Sequence, residues 1–298
     1  MNLSHNPIMQ TYPVLQAHLS KIALILLAIA TTCAPAWSQN NGDETSSQLL
    51  REASAHFKGT GRPVDLKKAF DLVKNGAEEG DLECAARLGY LYMTGQGTAK
   101  DDVAALRWLR IAADGGLAKA QFNLAALLQN GQAGSSSPSE ARHWFEKAAE
   151  QNIDRAQVLV GEASYFGKDG VEPDYASALK WFKRAAATGN AIAQNFTGVM
   201  LQTGQGTPRD GSAAIAMFRL AADQNLAKAQ ANLGLALING AEVPKDDVEG
   251  LKWLQLSADQ GEITAIRALA ELKEGLPEDV KNKADKLVRE HREKRGNP

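Results

Sequence analysis

The sequence predicts an all-α fold in which helical hairpins repeat at a fixed period and stack along one axis. Three observations carry that expectation. The turn residues Gly80, Gly116, Asn152, Gly189, Asn225 and Gly261 recur at spacings of 36, 36, 37, 36 and 36 residues. Trp108, Trp144, Trp181, Met217 and Trp253 follow the same ruler, with methionine once in the place of the indole. The composition is rich in alanine and has only ten prolines and five tyrosines in 298 residues. A repeat of roughly 20–50 residues marks supersecondary units that bury their apolar faces on their neighbours. Such an array presents an extended surface rather than a closed pocket.

The first element is a targeting segment, residues 1–36. Lys21 precedes the apolar run from Ile22 to Ala30, and small residues follow, ending in Ala34-Pro35-Ala36 before Trp37. That order of charged, apolar and small residues is that of a cleaved secretory signal. The run is shorter than the roughly 20 residues that span a bilayer. Met9 is a second candidate start, and retention of the segment as a membrane anchor is the alternative to cleavage. Residues 37–43 are a short linker. Cys84 is then the one cysteine left in the mature chain, so an internal disulfide is excluded and packing alone must hold the fold.

Repeat units follow near 44–79, 80–115, 116–151, 152–188, 189–224 and 225–260, with a half unit at 261–275. In the second, Cys84, Leu88, Leu91 and Tyr92 form one apolar stripe on a first helix. Gly89 interrupts that helix at a cost of about 1 kcal/mol against alanine. It recurs as Gly161, Gly198 and Gly234, and as Ala125 in one copy. A cost repeated at one register predicts two helices crossing too closely for a side chain. Gly95-Gln96-Gly97 and Gly204-Gln205-Gly206 then end first helices in the left-handed conformation. No third glycine follows and no strand precedes, so these are not nucleotide loops.

Second helices start at a polar residue seven positions before the tryptophan register: Asp65, Asp101, Ser137, Asp174, Asp210 and Asp246. The periodicity marks these groups as N-caps rather than catalytic carboxylates. Glu140 and Glu249, three residues after their caps, predict capping boxes. Alanines at Ala105, Ala112 and Ala113 allow close helix approach, and the indole fills the space between successive hairpins. The unit at 44–79 is degenerate, as terminal units of arrays are. Residues 277–298 form a charged capping helix and tail, with Val280, Ala284, Leu287 and His291 expected on its apolar face.

The charge balance excludes one partner class. With 33 basic and 35 acidic residues the net charge is −2, which leaves no cationic surplus for a phosphate backbone. His56, His143 and His291 fall in different units, without metal-ligand spacing. No nucleophile–base or ligand constellation emerges, so no catalytic, cofactor or metal site is assigned, and a non-enzymatic role is expected.

Several motifs together carry a family resemblance. Ala118 to Ala125 and Ala227 to Gly234 begin Ala-Lys-Ala-Gln. Gly-Gln-Gly loops and a cap aspartate follow, then Trp181-Phe182-Lys183-Arg184-Ala185-Ala186 with Gly189 after it. In these features residues 44–276 resemble Sel-one-like repeats, relatives of the tetratricopeptide repeats. The resemblance implies an α/α solenoid of about six helix-turn-helix units wound into a right-handed superhelix, with first helices lining the concave side. It also implies an adaptor or scaffold, in envelope signalling or complex assembly. A secreted cysteine-rich branch of the family includes members linked to β-lactam hydrolysis. This chain lacks the cysteines that staple those hairpins, so that activity is not carried over.

In the tetratricopeptide relatives an asparagine on the first helix faces the groove and bonds a peptide backbone. Here that register reads Arg87, Asn123, Leu159, Phe196 and Asn232, and three residues on it reads Tyr90, Ala126, Glu162, Val199 and Leu235. Arg87, Tyr90, Asn123, Glu162 and Asn232 are therefore the candidate groove contacts for a protein or extended peptide. The expected setting is the periplasm or the exterior, with no nucleic acid partner and no membrane span in the mature chain. Two alternatives stand beside this: a cell-wall-active hydrolase of the β-lactamase-like kind, and a structural subunit of a polysaccharide-export assembly.

Overall fold

A computed structural model describes residues 48–61, 63–131, 134, 137–167, 172–240, 243–272 and 275–296. The expected signal segment and linker lie outside these residues. Fourteen helices and no strand occur among the described residues: α1 Gln48–Lys58, α2 Leu66–Glu78, α3 Leu82–Thr94, α4 Asp102–Asp114, α5 Ala118–Gln129, α6 Pro138–Glu150 and α7 Asp154–Phe166. The series continues with α8 Tyr175–Ala187, α9 Ala191–Thr203, α10 Gly211–Asp223, α11 Ala227–Asn239, α12 Asp247–Asp259, α13 Ile263–Leu272 and α14 Glu278–Lys294. The fold is all-α and of the α/α solenoid class. Odd-numbered helices up to α13 are the first of each pair. The chain divides into two compact units, one up to Trp108 and one from Leu109 onward.

In the first unit, Asp65 accepts from Lys68 N at 2.9 Å and Asp101 from Ala104 N at 2.9 Å. Gly95 closes α3 with φ 70°. Gly97 lies against the backbone of Leu66, where a Cβ would collide. Cys84 is fully buried, its sulfur 2.5 Å from where a Cβ on Gly76 would stand. The thiol thus acts as a small core residue.

In the second unit every turn between pairs passes through the left-handed region: Gly116 φ 90°, Asn152 φ 64°, Gly189 φ 92°, Asn225 φ 66° and Gly261 φ 81°. The sequence ruler is therefore a ruler of backbone conformations that glycine and asparagine tolerate. The mid-helix glycines have the steric cause expected of them. A Cβ on Gly161 would stand 2.8 Å from the Phe182 ring and one on Gly198 2.6 Å from Phe218. On Gly234 it would stand 2.8 Å from the carbonyl oxygen of Gly250. Helices α7, α9 and α11 thus press their own backbones against the ring or backbone of their partners. Trp144, Trp181 and Trp253 are buried.

The capping expectation needs correction at two places. Asp174, Asp210 and Asp246 accept from the amides of Ser177, Ala213 and Glu249 at 2.8–2.9 Å, but Ser137 makes no side-chain cap bond. Pro138 instead presets the first turn of α6. Neither capping box forms. The Asp246 amide already donates to Leu237 O at 3.0 Å and that of Ser137 to Leu128 O at 3.4 Å, so the glutamates have no cap amide to accept. They turn to the indoles: Trp253 Nε1 donates to Glu249 at 3.1 Å and Trp144 Nε1 to Glu140 at 3.4 Å. Each carboxylate also pairs with an arginine of the preceding second helix, Arg219 with Glu249 and Arg110 with Glu140. The hydrogen bonds from Arg219 hold the Glu249 carboxyl below its ordinary range.

A second ladder crosses the pairs through glutamines. Gln121, Gln157, Gln194 and Gln230 are buried one residue after the small alanine of each first helix. Each Nε2 donates to the carbonyl oxygen eight residues earlier, on Ala113, Ala149, Ala186 and Ala222 respectively, at 3.1–3.4 Å. Their own carbonyls accept from the glutamine after the next second helix: Gln151 to Gln121 at 2.9 Å, Gln224 to Gln194 at 2.8 Å and Gln260 to Gln230 at 2.8 Å. One rung is missing. Thr188 holds the corresponding place after α8 and bonds back to Ala185 O, and Gln157 Oε1 is buried without a partner.

Three stability changes are expected in urea titrations. Gly198→Ala destabilises by about 1–3 kcal/mol through overpacking on Phe218, and Trp144→Ala by about 3–5 kcal/mol through cavity formation. Thr188→Gln, which restores the missing rung, stabilises by about 1 kcal/mol; a loss of stability in Thr188→Gln would show that Gln157 does not need the donor.

Candidate functional site

The five candidate groove residues all lie on first helices, and all are half-buried. Arg87 and Tyr90 stand one turn apart on α3 in the first unit. Burial pulls the Arg87 guanidinium down to about 10, against the pull of Glu83, so it stays cationic at neutral pH. Asn123 is on α5, Glu162 on α7 and Asn232 on α11 in the second unit. Asn232 Nδ2 donates to the buried Asn195 Oδ1 at 2.8 Å, a bond between successive first helices. That bond holds the Asn232 amide in one orientation and leaves its other N–H pointing elsewhere.

Sequence reading missed an aromatic group at the same register. Phe196 stacks on Phe182 at 4.5 Å with planes 1° apart, and meets Tyr165 edge-on at 5.7 Å. Tyr165 also touches Phe166 and Tyr175, and its hydroxyl donates to Gln205 Oε1 at 2.8 Å. The middle glutamine of a Gly-Gln-Gly loop therefore fixes a tyrosine 40 residues earlier. Nothing in the local pattern around Tyr165 announces that pairing. These rings pack against each other, and Phe166 at the edge of the group remains 37% exposed.

The second-helix side carries another arrangement. Helix α14 lies on α12, but its buried stripe is Ala284 and Val288 rather than Val280 and Leu287. His291 meets the Trp253 ring edge-on at 5.4 Å. Lys252 sits 3.9 Å from the centroid of the same ring, its ammonium pulled below the ordinary lysine range by burial. Gln255 donates to Asp285 at 2.6 Å, Arg292 pairs with Asp259, and Arg295 donates to the carbonyl of Asp223 at the end of α10. The capping helix thus folds across the end of α10 as well as along α12.

Among the described residues no group of three or more His, Cys, Asp or Glu side chains gathers as metal ligands would. No described helix is long and apolar enough to cross a membrane.

The Sel1 repeat model matches residues 53–81, 82–117, 118–153, 154–190, 191–226 and 227–262. The chain belongs to the Sel1 repeat family. Its fold is similar to that of a Sel1 repeat protein from Oxalobacter formigenes, at 30% identity and TM-score 0.61 over 82% of this chain and 99% of that one. It is also similar in fold to a protective antigen of uropathogenic Escherichia coli strains, at 23% identity and TM-score 0.56. There the match covers 82% of this chain and 60% of the antigen's length. Sel1 repeats form scaffolds that typically bind proteins, and this chain is such a scaffold.

His291 gives a pH signature. Burial and the neighbouring Lys252 and Arg295 lower its pKa below 6.5, so the folded state favours the neutral ring. The stability this contributes is fully present above pH 6.5. It is lost as pH falls from 6.5 through the lowered folded value, because the unfolded chain takes the proton first. Urea midpoints compared at pH 7.5 and in the acid window are expected to fall more for the native chain than for His291→Leu; parallel curves would remove His291 as the cause.

Proposed function

We propose that the chain is an exported scaffold, periplasmic or secreted, that binds a protein or extended peptide through its first helices. Arg87, Tyr90, Asn123, Glu162 and Asn232 supply the contacts. The observation that carries the reading is the division of labour within each repeat. Glycine, alanine, tryptophan and glutamine registers are consumed by packing between helices, while the remaining first-helix registers change from copy to copy. A surface that varies on a fixed frame is what partner recognition requires.

Amide and charged groups at those registers suit a peptide backbone, which offers alternating donors and acceptors. Most of the aromatic rings nearby, Tyr165 and Phe182 among them, are buried against one another, which favours a peptide over a stacked glycan. We further propose that the chain works without catalysis, since the periodic carboxylates are engaged as helix caps and indole acceptors.

Two measurements test this. Crosslinking in the cell envelope followed by affinity purification is expected to recover a partner. The joint replacement of Arg87, Asn123 and Asn232 by alanine is expected to remove it while leaving the helical signal in circular dichroism unchanged. Recovery of the same partner in the same amount rejects the first-helix assignment. The purified protein is also expected to leave nitrocefin intact; steady turnover would move the chain to the hydrolase reading.

A further inference from the structure

In the second unit, neighbouring second helices create three successive seats at the same register, and two of them are filled. Between α6 and α8, Trp181 occupies the seat and Arg184 closes it. The Arg184 guanidinium lies 4.8 Å from the indole centroid and donates to Glu150 O at 3.2 Å and Asn152 Oδ1 at 2.9 Å. Between α10 and α12, Trp253 occupies the seat and α14 covers it through Val288, His291 and Arg295. Leu256, three residues after Trp253, is thereby reduced to 7% exposure.

The seat between α8 and α10 is different. Met217 stands where the others carry tryptophan, Leu220 stands where they carry Arg184 or the covered Leu256, and Ala187 stands where Asp223 receives Arg295. The result is an open cavity of about 1080 Å³, floored by α9. Leu220 on its wall is 49% exposed, against 7% for its counterpart Leu256. Thr197 lines the same cavity, is 2% exposed, and its Oγ1 has no hydrogen-bond partner. A buried hydroxyl without a partner costs free energy unless something arrives to satisfy it. Lys183 and Arg209 stand at the edge, where Arg209 Nε donates to Gln202 O at 3.0 Å. Asp210 is the carboxylate beside them, and its Oδ1 accepts from the Ala213 amide at 2.9 Å.

We propose that this vacant seat docks an amphipathic helix from a partner protein, in the way that α14 docks on the next seat. The incoming helix carries one bulky apolar side chain, aromatic by preference, which fills the space above Met217 and Leu220. Carboxylates on its flanks face Lys183 and Arg209. The chain's own α14 supplies the precedent. It lies on Trp253, Leu256 and the Asp223 carbonyl, whose register equivalents Met217, Leu220 and Ala187 line the vacancy. Helix-in-groove recognition of this kind reads a few apolar anchors spaced at three and four residues. The seat is on second helices, so it is separate from the first-helix contacts proposed above.

The test uses the purified full chain and a synthetic peptide of the length of α14, 17 residues, with a single tryptophan on its apolar face and glutamates on its flanks. A companion peptide carries lysines in place of the glutamates. Fluorescence anisotropy is expected to show saturable binding of the acidic peptide and binding at least about tenfold weaker of the basic one, a difference of about 1.4 kcal/mol. The double variant Met217→Trp with Leu220→Arg fills the seat as its neighbour is filled. It is expected to keep or raise the melting temperature and to weaken the acidic peptide at least about tenfold. Lys183→Glu, a change at an exposed side chain, is expected to narrow the preference between the two peptides without altering stability. Failure of the acidic peptide to bind, or equal binding to the filled variant, overturns the proposal. So does a concentration-dependent dimer that the filled variant abolishes, because the occupant would then be a second copy of the chain. None of these outcomes touches Arg87, Asn123 or Asn232, so the first-helix reading stands or falls separately.

Discussion

Everything in the second unit depends on how closely the two helices of a pair can approach. Gly161 and Gly198 admit the ring of the partner helix, and Gly234 admits the backbone of Gly250. Glycine within a helix is unfavourable by about 1 kcal/mol against alanine. Close interdigitation returns dispersion contacts that a looser crossing would lose. The alanines at Ala185, Ala193, Ala221, Ala222 and Ala229, all fully buried, serve the same approach. A repeat protein has no single large core, so this close pairing must be made again in every copy.

Stacking of one pair on the next uses polar bonds to a degree that the apolar pattern does not suggest. The glutamine ladder satisfies carbonyls at the ends of second helices, groups that a helix terminus leaves without intrahelical partners. The bonds to the carbonyl eight residues earlier reach the preceding copy, while the glutamine pairs, 30 positions apart, tie the two ends of one copy together. Arg219 with Glu249 and Arg110 with Glu140 add charged links of the same span, and the indole N–H groups of Trp253 and Trp144 join them. The tryptophans are thus both filler and donor. Where one register breaks, the consequences are local: Thr188 leaves Gln157 short of a donor, and Met217 leaves a seat without its indole.

These breaks matter for function because a periodic frame makes exceptions informative. At most registers the residue type follows from packing, and a partner has little to read. The first-helix slots at Arg87, Asn123, Phe196 and Asn232 and the second-helix seat at Met217 are places where the frame does not dictate the residue. The two proposed surfaces belong to opposite members of the helix pair.

By itself the sequence determined the helices, their order and their period, because these follow from local chemistry. Left-handed turns need glycine or asparagine, first turns need an acceptor for their amides, and a buried stripe needs three- and four-residue spacing. The reason for the glycine recurring inside most first helices was also legible, since a steric requirement explains a repeated unfavourable choice. What the tertiary structure alone decided was the destination of side chains that local spacing leaves unassigned. Glu140 and Glu249 turn from their cap amides to indoles and arginines, buried glutamines find one another, and α14 sets its stripe at Ala284 and Val288. Those outcomes depend on which groups are left unsatisfied once the backbones have packed, and that remainder exists only in three dimensions.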